Sequence, residues 1–231
     1  MKRLILFDID GTLISTRGAA KRAFERAMLE VYGTTGPIAT HDFSGKTDPQ
    51  IARELLRATG MADADIDAGM PSLWRAYLRD LKVELGAPDH STHVLPGVVD
   101  VMAALERRTD DILVGLLTGN IERGAALKLT SARLAGFRLG AYGSDHEHRH
   151  ELPAIAVRRA RDLSGVNFRG RDVVVIGDTP NDVHCGRSIG VHAVAVATGS
   201  YDIDALRAAG ADAVLPDMRD TAAALEAFLC A

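Results

Sequence analysis

Short, unbroken apolar runs recur along the chain at Leu4–Phe7, Ile112–Leu117, Val173–Ile176, Val191–Val196 and Ala213–Leu215. Runs this short, with no polar alternation, read as strands buried on both faces. Between them the apolar residues follow helical spacing. Val98, Val101, Met102 and Leu105 stand at i, i+3, i+4 and i+7, one face of a helix. Strands alternating with helices predict an α/β fold with a mostly parallel sheet.

The alternation stops between about Ser15 and Leu95. There Phe24, Met28 and Val31, then Ile51, Leu55 and Leu56, then Leu73, Tyr77 and Leu81 keep helical spacing. Gly33-Thr34-Thr35-Gly36-Pro37 and Gly60 punctuate the stretch, and it holds no strand pattern. An insert of this length is too long for a loop and is expected to form a small helical domain. Near the C-terminus, Ala222, Leu225 and Leu229 share one helix face, expected to be core.

Composition narrows the function classes. The 231 residues predict one to two domains, and 47% hydrophobic with 25% charged residues excludes a disordered chain. Lys and Arg number 27 against 31 Asp and Glu, a net charge of −4, so no basic excess exists for sequence-independent nucleic-acid binding. Lys2-Arg3 ahead of Leu4–Phe7 opens like a signal peptide, but Asp8 and Asp10 end the apolar run. No stretch has the length of a membrane helix. Cys185 and Cys230 are too few for a disulfide framework. A cytoplasmic protein without membrane or nucleic-acid partners, monomer or homodimer, is expected.

The candidate chemistry gathers where strands end. In Phe7-Asp8-Ile9-Asp10-Gly11-Thr12-Leu13 two carboxylates leave a buried strand, the place where a fold of this class opens its ligand crevice. Such carboxylates repel one another and need a cation. Gly177-Asp178-Thr179-Pro180-Asn181-Asp182 repeats the arrangement at another strand end, and Thr179, Pro180 and Asp182 also suit a helix N-cap, N1 and N3. Four acids with hard oxygen ligands favour Mg²⁺ over zinc. Thr118-Gly119-Asn120 follows a third strand, ahead of a helix whose N–H groups and the Thr118 hydroxyl suit an anion.

Taken together and in this order, Asp8-x-Asp10-Gly11-Thr12, Thr118-Gly119-Asn120 and Gly177-Asp178-Thr179-x-x-Asp182 resemble the haloacid dehalogenase superfamily, over nearly the whole chain. The resemblance implies a Rossmann-like, doubly wound catalytic core from residues 1–14 and 96–231. It also implies a helical cap from residues 15–95 and a layout like that of the phosphoglycolate phosphatases. It implies a Mg²⁺-dependent phosphomonoester hydrolase acting on a small phosphorylated metabolite, with phosphomutase as the enzymatic alternative and a phospho-accepting signalling module as the alternative of another class. By position, Asp8 is the implied nucleophile and Asp10 the general acid/base. Thr118, with Gly11, Gly119 and Asn120, would hold the phosphoryl group; Asp8, Asp10, Asp178 and Asp182 would form the metal site.

One part departs from the pattern. Where relatives carry a cation before Pro-x-Pro, this chain reads Asp145-His146-Glu147-His148-Arg149-His150-Glu151-Leu152-Pro153. Arg149 is assigned the phosphate, since a guanidinium grips it bidentately; His150 and Lys128 are the alternatives. His146, His148 and His150 would share a face in a strand, though a solvated loop ahead of a helix near Pro153 is the plainer account. Ser44-Gly45-Lys46-Thr47 echoes a P-loop but has Thr40 where a Gly is required. Asp48 is instead expected to cap a helix with Pro49 at N1, leaving Lys46 on a loop that contacts substrate. Arg17 and Arg53 are read as surface charges and Cys185 as core.

Overall fold

The computed structural model describes residues 2–108 and 110–229; Cys230 lies outside them. Five apolar runs form strands as expected: β1 (Arg3–Phe7), β4 (Ile112–Thr118), β6 (Val173–Gly177), β7 (His192–Val196) and β8 (Ala213–Leu215), and β5 (Gly140–Tyr142) joins them. They make one six-stranded sheet, ordered β5-β4-β1-β6-β7-β8, and every neighbouring pair is parallel. Counting only these strands in chain order gives 3-2-1-4-5-6, the Rossmann order, in which the crevice opens beside the first strand where the winding reverses. Leu4, Ile5, Leu6 and Phe7 are all fully buried at the centre of the sheet, so the opening apolar run is a core strand.

Helices cover both faces: α4 (Val98–Glu106), α5 (Glu122–Ser131), α6 (Leu152–Ser164), α7 (Pro180–Cys185), α8 (Ile203–Ala208) and α9 (Thr221–Leu229). One face gathers Ile5, Phe7, Val101, Val114, Ile176 and Phe228; the other gathers Leu4, Leu6, Leu152, Phe168 and Val175. Alternate residues of β1 feed alternate faces, as the period of two requires. The inward face of α9 differs from the expected one. Ala224 and Phe228 are buried, Ala222 is exposed, and Leu225 and Leu229 flank the cluster. Phe228 packs its ring edge-on against Phe7, with centroids 5.9 Å apart, and so fixes the helix's rotation.

The inserted stretch contains three helices, α1 (Ala19–Tyr32), α2 (Asp48–Arg57) and α3 (Asp63–Leu85). They close over their own cluster of Phe24, Met28, Leu55, Leu73, Tyr77 and Leu81, which Ile121 joins from the start of α5. A short antiparallel pair, β2 (Ile14–Ser15) with β3 (His93–Val94), ties the two ends of the insert together. Two-residue strands are too short to leave a periodic trace, which is why the sequence shows none.

Candidate active site

The end of β1 carries Asp8 and the end of β6 carries Asp178, side by side at the centre of the sheet. Gly11 permits the sharp departure of the chain: its φ is +82°, and a Cβ there would run into the Asp178 carboxylate. Thr12 donates from its hydroxyl to Asp178 Oδ1 at 3.1 Å, and Thr198, on the loop after β7, donates to the Gly11 carbonyl at 2.6 Å. At the start of α7, Thr179 and Asp182 form a capping box. The Thr179 hydroxyl accepts from the Asp182 amide, and Asp182 Oδ2 accepts from the Thr179 amide at 3.0 Å. The expected cap is therefore present, and it aims the acid.

Asp8, Asp178 and Asp182 each present an oxygen within 4.8 Å of the others, and all three are buried. Arg149 joins them from the turn before α6. It is 6% exposed, with Nη2 3.2 Å from Asp8 Oδ1 and in contact with Asp182 Oδ1. Burial pushes the Asp8 carboxyl up to about 6; Arg149 pulls the other way while Asp182 and Asp10 add to the rise. Burial, then Asp182 and Asp8, push Asp178 up to about 8. One guanidinium does not balance three buried carboxylates. Arg149 Nε is also buried and has no hydrogen-bond partner among the described residues.

The third segment ends β4. Asn120 spends its amide within the site, donating from Nδ2 to Asp10 Oδ2 and to Thr118 Oγ1, both at 2.8 Å. It does not cap α5. That helix start is served by Asp48 Oδ2, which accepts from the Ile121 amide at 2.9 Å, and by Ser144. Asp48 is thus not the cap of α2 that the sequence suggests. Thr47 takes that place, its hydroxyl accepting from Gln50, and Asp48 and Pro49 follow inside the helix. Freed from capping, Asp48 reaches across to α5.

Loop 44–47 docks on the segments that follow β4, β5 and β6. The Thr47 hydroxyl donates to the Glu147 carbonyl at 2.5 Å, the Asp48 amide to the Gly119 carbonyl at 2.8 Å, and Asn181 Nδ2 to the Ser44 carbonyl at 2.8 Å. A Cβ on Gly119 would strike the Lys46 carbonyl, so only glycine allows this approach. Behind the loop, Arg53 donates from Nε to both oxygens of Glu147 and from Nη2 to Asp67, so it bridges elements instead of facing water. Arg17 is exposed and meets His93.

These pieces enclose a cavity of about 480 Å³. Asp8, Asp10, Gly11, Thr118, Gly119, Asn120, Arg149 and Asp178 line its floor, and Lys21, Phe24, Phe43, Lys46, Ile51 and Tyr77 its roof. Every expected site residue except Asp182 borders it. Asp182 lies just behind, its oxygens taken by Arg149 and Thr179. Lys46 reaches the cavity while paired with Glu54 at 2.6 Å. Of the alternative cations, His150 is exposed beside Glu151, and Lys128 is buried against Asp10. His146, His148 and His150 sit on a solvated turn rather than a strand, their rings 5.5 and 5.7 Å apart in succession. Buried Cys185 sits under the site with its thiol pushed up to about 12 by burial.

Thr12, Glu147 and Thr198 had no assigned task in the sequence, and Asp48 and Lys128 take places other than those expected. Each acts across a large sequence separation, such as the 118 residues between Asp10 and Lys128, and carries no local signature.

Known proteins resemble this chain in sequence and in fold. The phosphoglycolate phosphatase of Pseudomonas putida is 26% identical over 220 residues, covering 95% of this chain and 78% of its own. That of Rhodospirillum rubrum is also 26% identical, over 94% of this chain and 88% of its own. The crystal structure of a hydrolase from Pseudomonas syringae superposes with a TM-score of 0.70 at 23% identity, over 98% of both chains. The sequence model of the haloacid dehalogenase-like hydrolases matches residues 5–196, and the chain belongs to that family.

Proposed function

We propose that the protein is a Mg²⁺-dependent phosphomonoesterase that hydrolyses a small phosphorylated metabolite through an aspartyl-phosphate on Asp8. The observation that carries this reading is Asp8 itself: a buried carboxylate at the sheet's switch point, gripped by one guanidinium and crowded by two further acids. The curated relatives named phosphoglycolate phosphatase support it. In this reading residues 1–14 and 96–231 form the catalytic core and residues 15–95 a cap that roofs the cavity.

The donor set suits the metal. Three buried carboxylates within 4.8 Å, offset by a single guanidinium, leave a deficit of positive charge that a hard, oxygen-preferring dication fills. Asp8 and Asp178 would hold it, with the main-chain carbonyl of Asp10, and Asp182 would support the set through Arg149. Bound there, Mg²⁺ would neutralise charge developing on the phosphoryl oxygens.

The remaining steps fall to the chain. An Asp8 oxygen attacks phosphorus in line; the bond from phosphorus to the leaving oxygen breaks, and Asp10 gives that oxygen its proton. Asp10 then takes a proton from water, whose oxygen attacks phosphorus, releasing phosphate and regenerating Asp8. Arg149, which lines the cavity beside Asp8, would donate a guanidinium N–H to a phosphoryl oxygen, joined by the Thr118 hydroxyl.

The test is phosphate release from phosphorylated glycolate, sugars and nucleotides, with Mg²⁺ or EDTA, by wild type and Asp8→Asn. Release that needs Mg²⁺ and vanishes in the variant supports the reading. No release from any ester, with a phosphoryl group still transferred between substrates, would replace hydrolase by mutase.

A further inference from the structure

Lys128 lines the cavity, the hydrolytic steps above give it no task, and its setting is unusual. It sits on α5, 4% exposed, with Nζ 2.6 Å from Asp10 Oδ2 and 2.5 Å from Asn120 Oδ1. Asp48 from α2 and Tyr77 from α3 also face it; despite burial, the Asp10 and Asp48 carboxylates keep it an ammonium. Burying an ammonium costs several kcal/mol before any pairing, and Met would fill the same side of α5 without that cost. Pairing with Asp10 and Asp48 repays part of that cost; the remainder asks for a reason beyond stability.

The hydrogen-bond directions give one. Lys128 donates to Asn120 Oδ1, which turns the other end of that amide, Nδ2, toward Asp10 Oδ2 and Thr118 Oγ1. Lys128 and Asn120 then both donate to the same oxygen, Asp10 Oδ2. Oδ1 of Asp10 has no hydrogen-bond donor among the described residues, and the Asp10 side chain is 41% exposed, open to the cavity. One oxygen is held from inside the fold by two donors, and the other is left for the reacting atoms.

Resting on the phosphatase reading, we propose that Lys128 is a positioning residue: with Asn120 it locks the Asp10 carboxyl so that its free oxygen meets the leaving group. In this role it would touch neither the phosphoryl group nor the metal, which separates it from Arg149. A proton delivered out of line costs most where the leaving group most needs it. A poor leaving group such as an alkoxide depends on that proton, whereas 4-nitrophenolate departs almost without it.

The experiment measures kcat and KM with Mg²⁺ for 4-nitrophenyl phosphate, phenyl phosphate and an alkyl phosphate, in wild type, Lys128→Met and Lys128→Arg. Lys128→Met is expected to lower kcat about 100-fold on phenyl and alkyl phosphates but about 10-fold or less on 4-nitrophenyl phosphate, with KM little changed. Lys128→Arg, which restores a cationic donor, should recover part of the loss. Should Lys128→Met fail to fold, Lys128→Leu, which likewise removes the donor, carries the same comparison. An equal loss on all three esters assigns Lys128 a merely structural role and overturns the inference alone. So does a rise in KM at constant kcat, which would place Lys128 on the substrate. A wild type inactive on every ester overturns the phosphatase reading, and this inference falls with it.

Discussion

Without a divalent cation the acidic cluster should make the fold less stable as pH rises, and by an amount the structure sets. Asp178 has a native pKa raised from 3.8 to about 8, so between pH 5 and pH 8 the native state keeps a proton that the unfolded chain has lost. The native state binds more protons over that window, and stability therefore falls as pH rises. Three pH units at about 1.4 kcal/mol each amount to roughly 4 kcal/mol. Asp8 and Asp48, both raised to about 6, add to the loss between pH 5 and 6. His41 and His192 oppose it, because burial holds their imidazoles below the ordinary range and their neutral native forms gain stability as pH rises. The Asp178→Asn variant keeps both histidines and retains an acceptor for Thr12, so comparison with it isolates the acid. Urea unfolding in EDTA at pH 5, 6, 7 and 8 is the assay. Wild type should lose a few kcal/mol more than Asp178→Asn across the series and be the less stable of the two at pH 8. Mg²⁺ at about 100 times its Kd should return about 3 kcal/mol to wild type at pH 8, and little to the variant. Parallel curves for the two proteins, or wild-type stability rising from pH 5 to 8 in EDTA, would refute the reasoning.

Two further outcomes follow from the contacts. Arg149→Met removes the shared partner of Asp8 and Asp182; urea unfolding should show a loss of about 3–5 kcal/mol, and kcat/KM should fall at least about 100-fold. Gly119→Ala drives a methyl group into the Lys46 carbonyl, so loop 44–47 must lift; KM should rise several-fold for a stability loss of about 1–3 kcal/mol, and an unchanged KM would show that the loop does not contact substrate.

How much of this was legible in the sequence depends on the range of each interaction. The central strands announce themselves because a strand buried on both faces must be apolar throughout, as Leu4–Phe7 and Val173–Ile176 are. Asp8, Asp10 and Asp178 stand out because charges at the ends of such apolar runs need a partner or a task, and Asp182 because it completes a helix start. The capping box at Thr179 was readable because all of it lies within four residues. What escaped is what the fold assembles from a distance. Asp48 looked like a local cap until Thr47 proved to hold that place and α5 proved to need an acceptor. Arg53 looked like a surface charge because Glu147, its partner, stands 94 residues away. The face of α9 was misplaced because small alanines on all sides weaken its periodicity; Phe7 decides the rotation by receiving Phe228.

The central claim is that Asp8 becomes phosphorylated and Asp10 both releases and resolves that intermediate. The direct measurement is a rapid-quench reaction of Asp10→Asn with 4-nitrophenyl phosphate and Mg²⁺, followed by peptide mapping. This ester needs little help to leave, while hydrolysis of the intermediate needs the missing base. The account predicts a burst of one 4-nitrophenolate per active site, slow turnover afterwards, and one phosphoryl group on the peptide containing Asp8. Phosphate release without a burst and without modification of Asp8 would mean that water attacks the substrate directly, and would contradict the account.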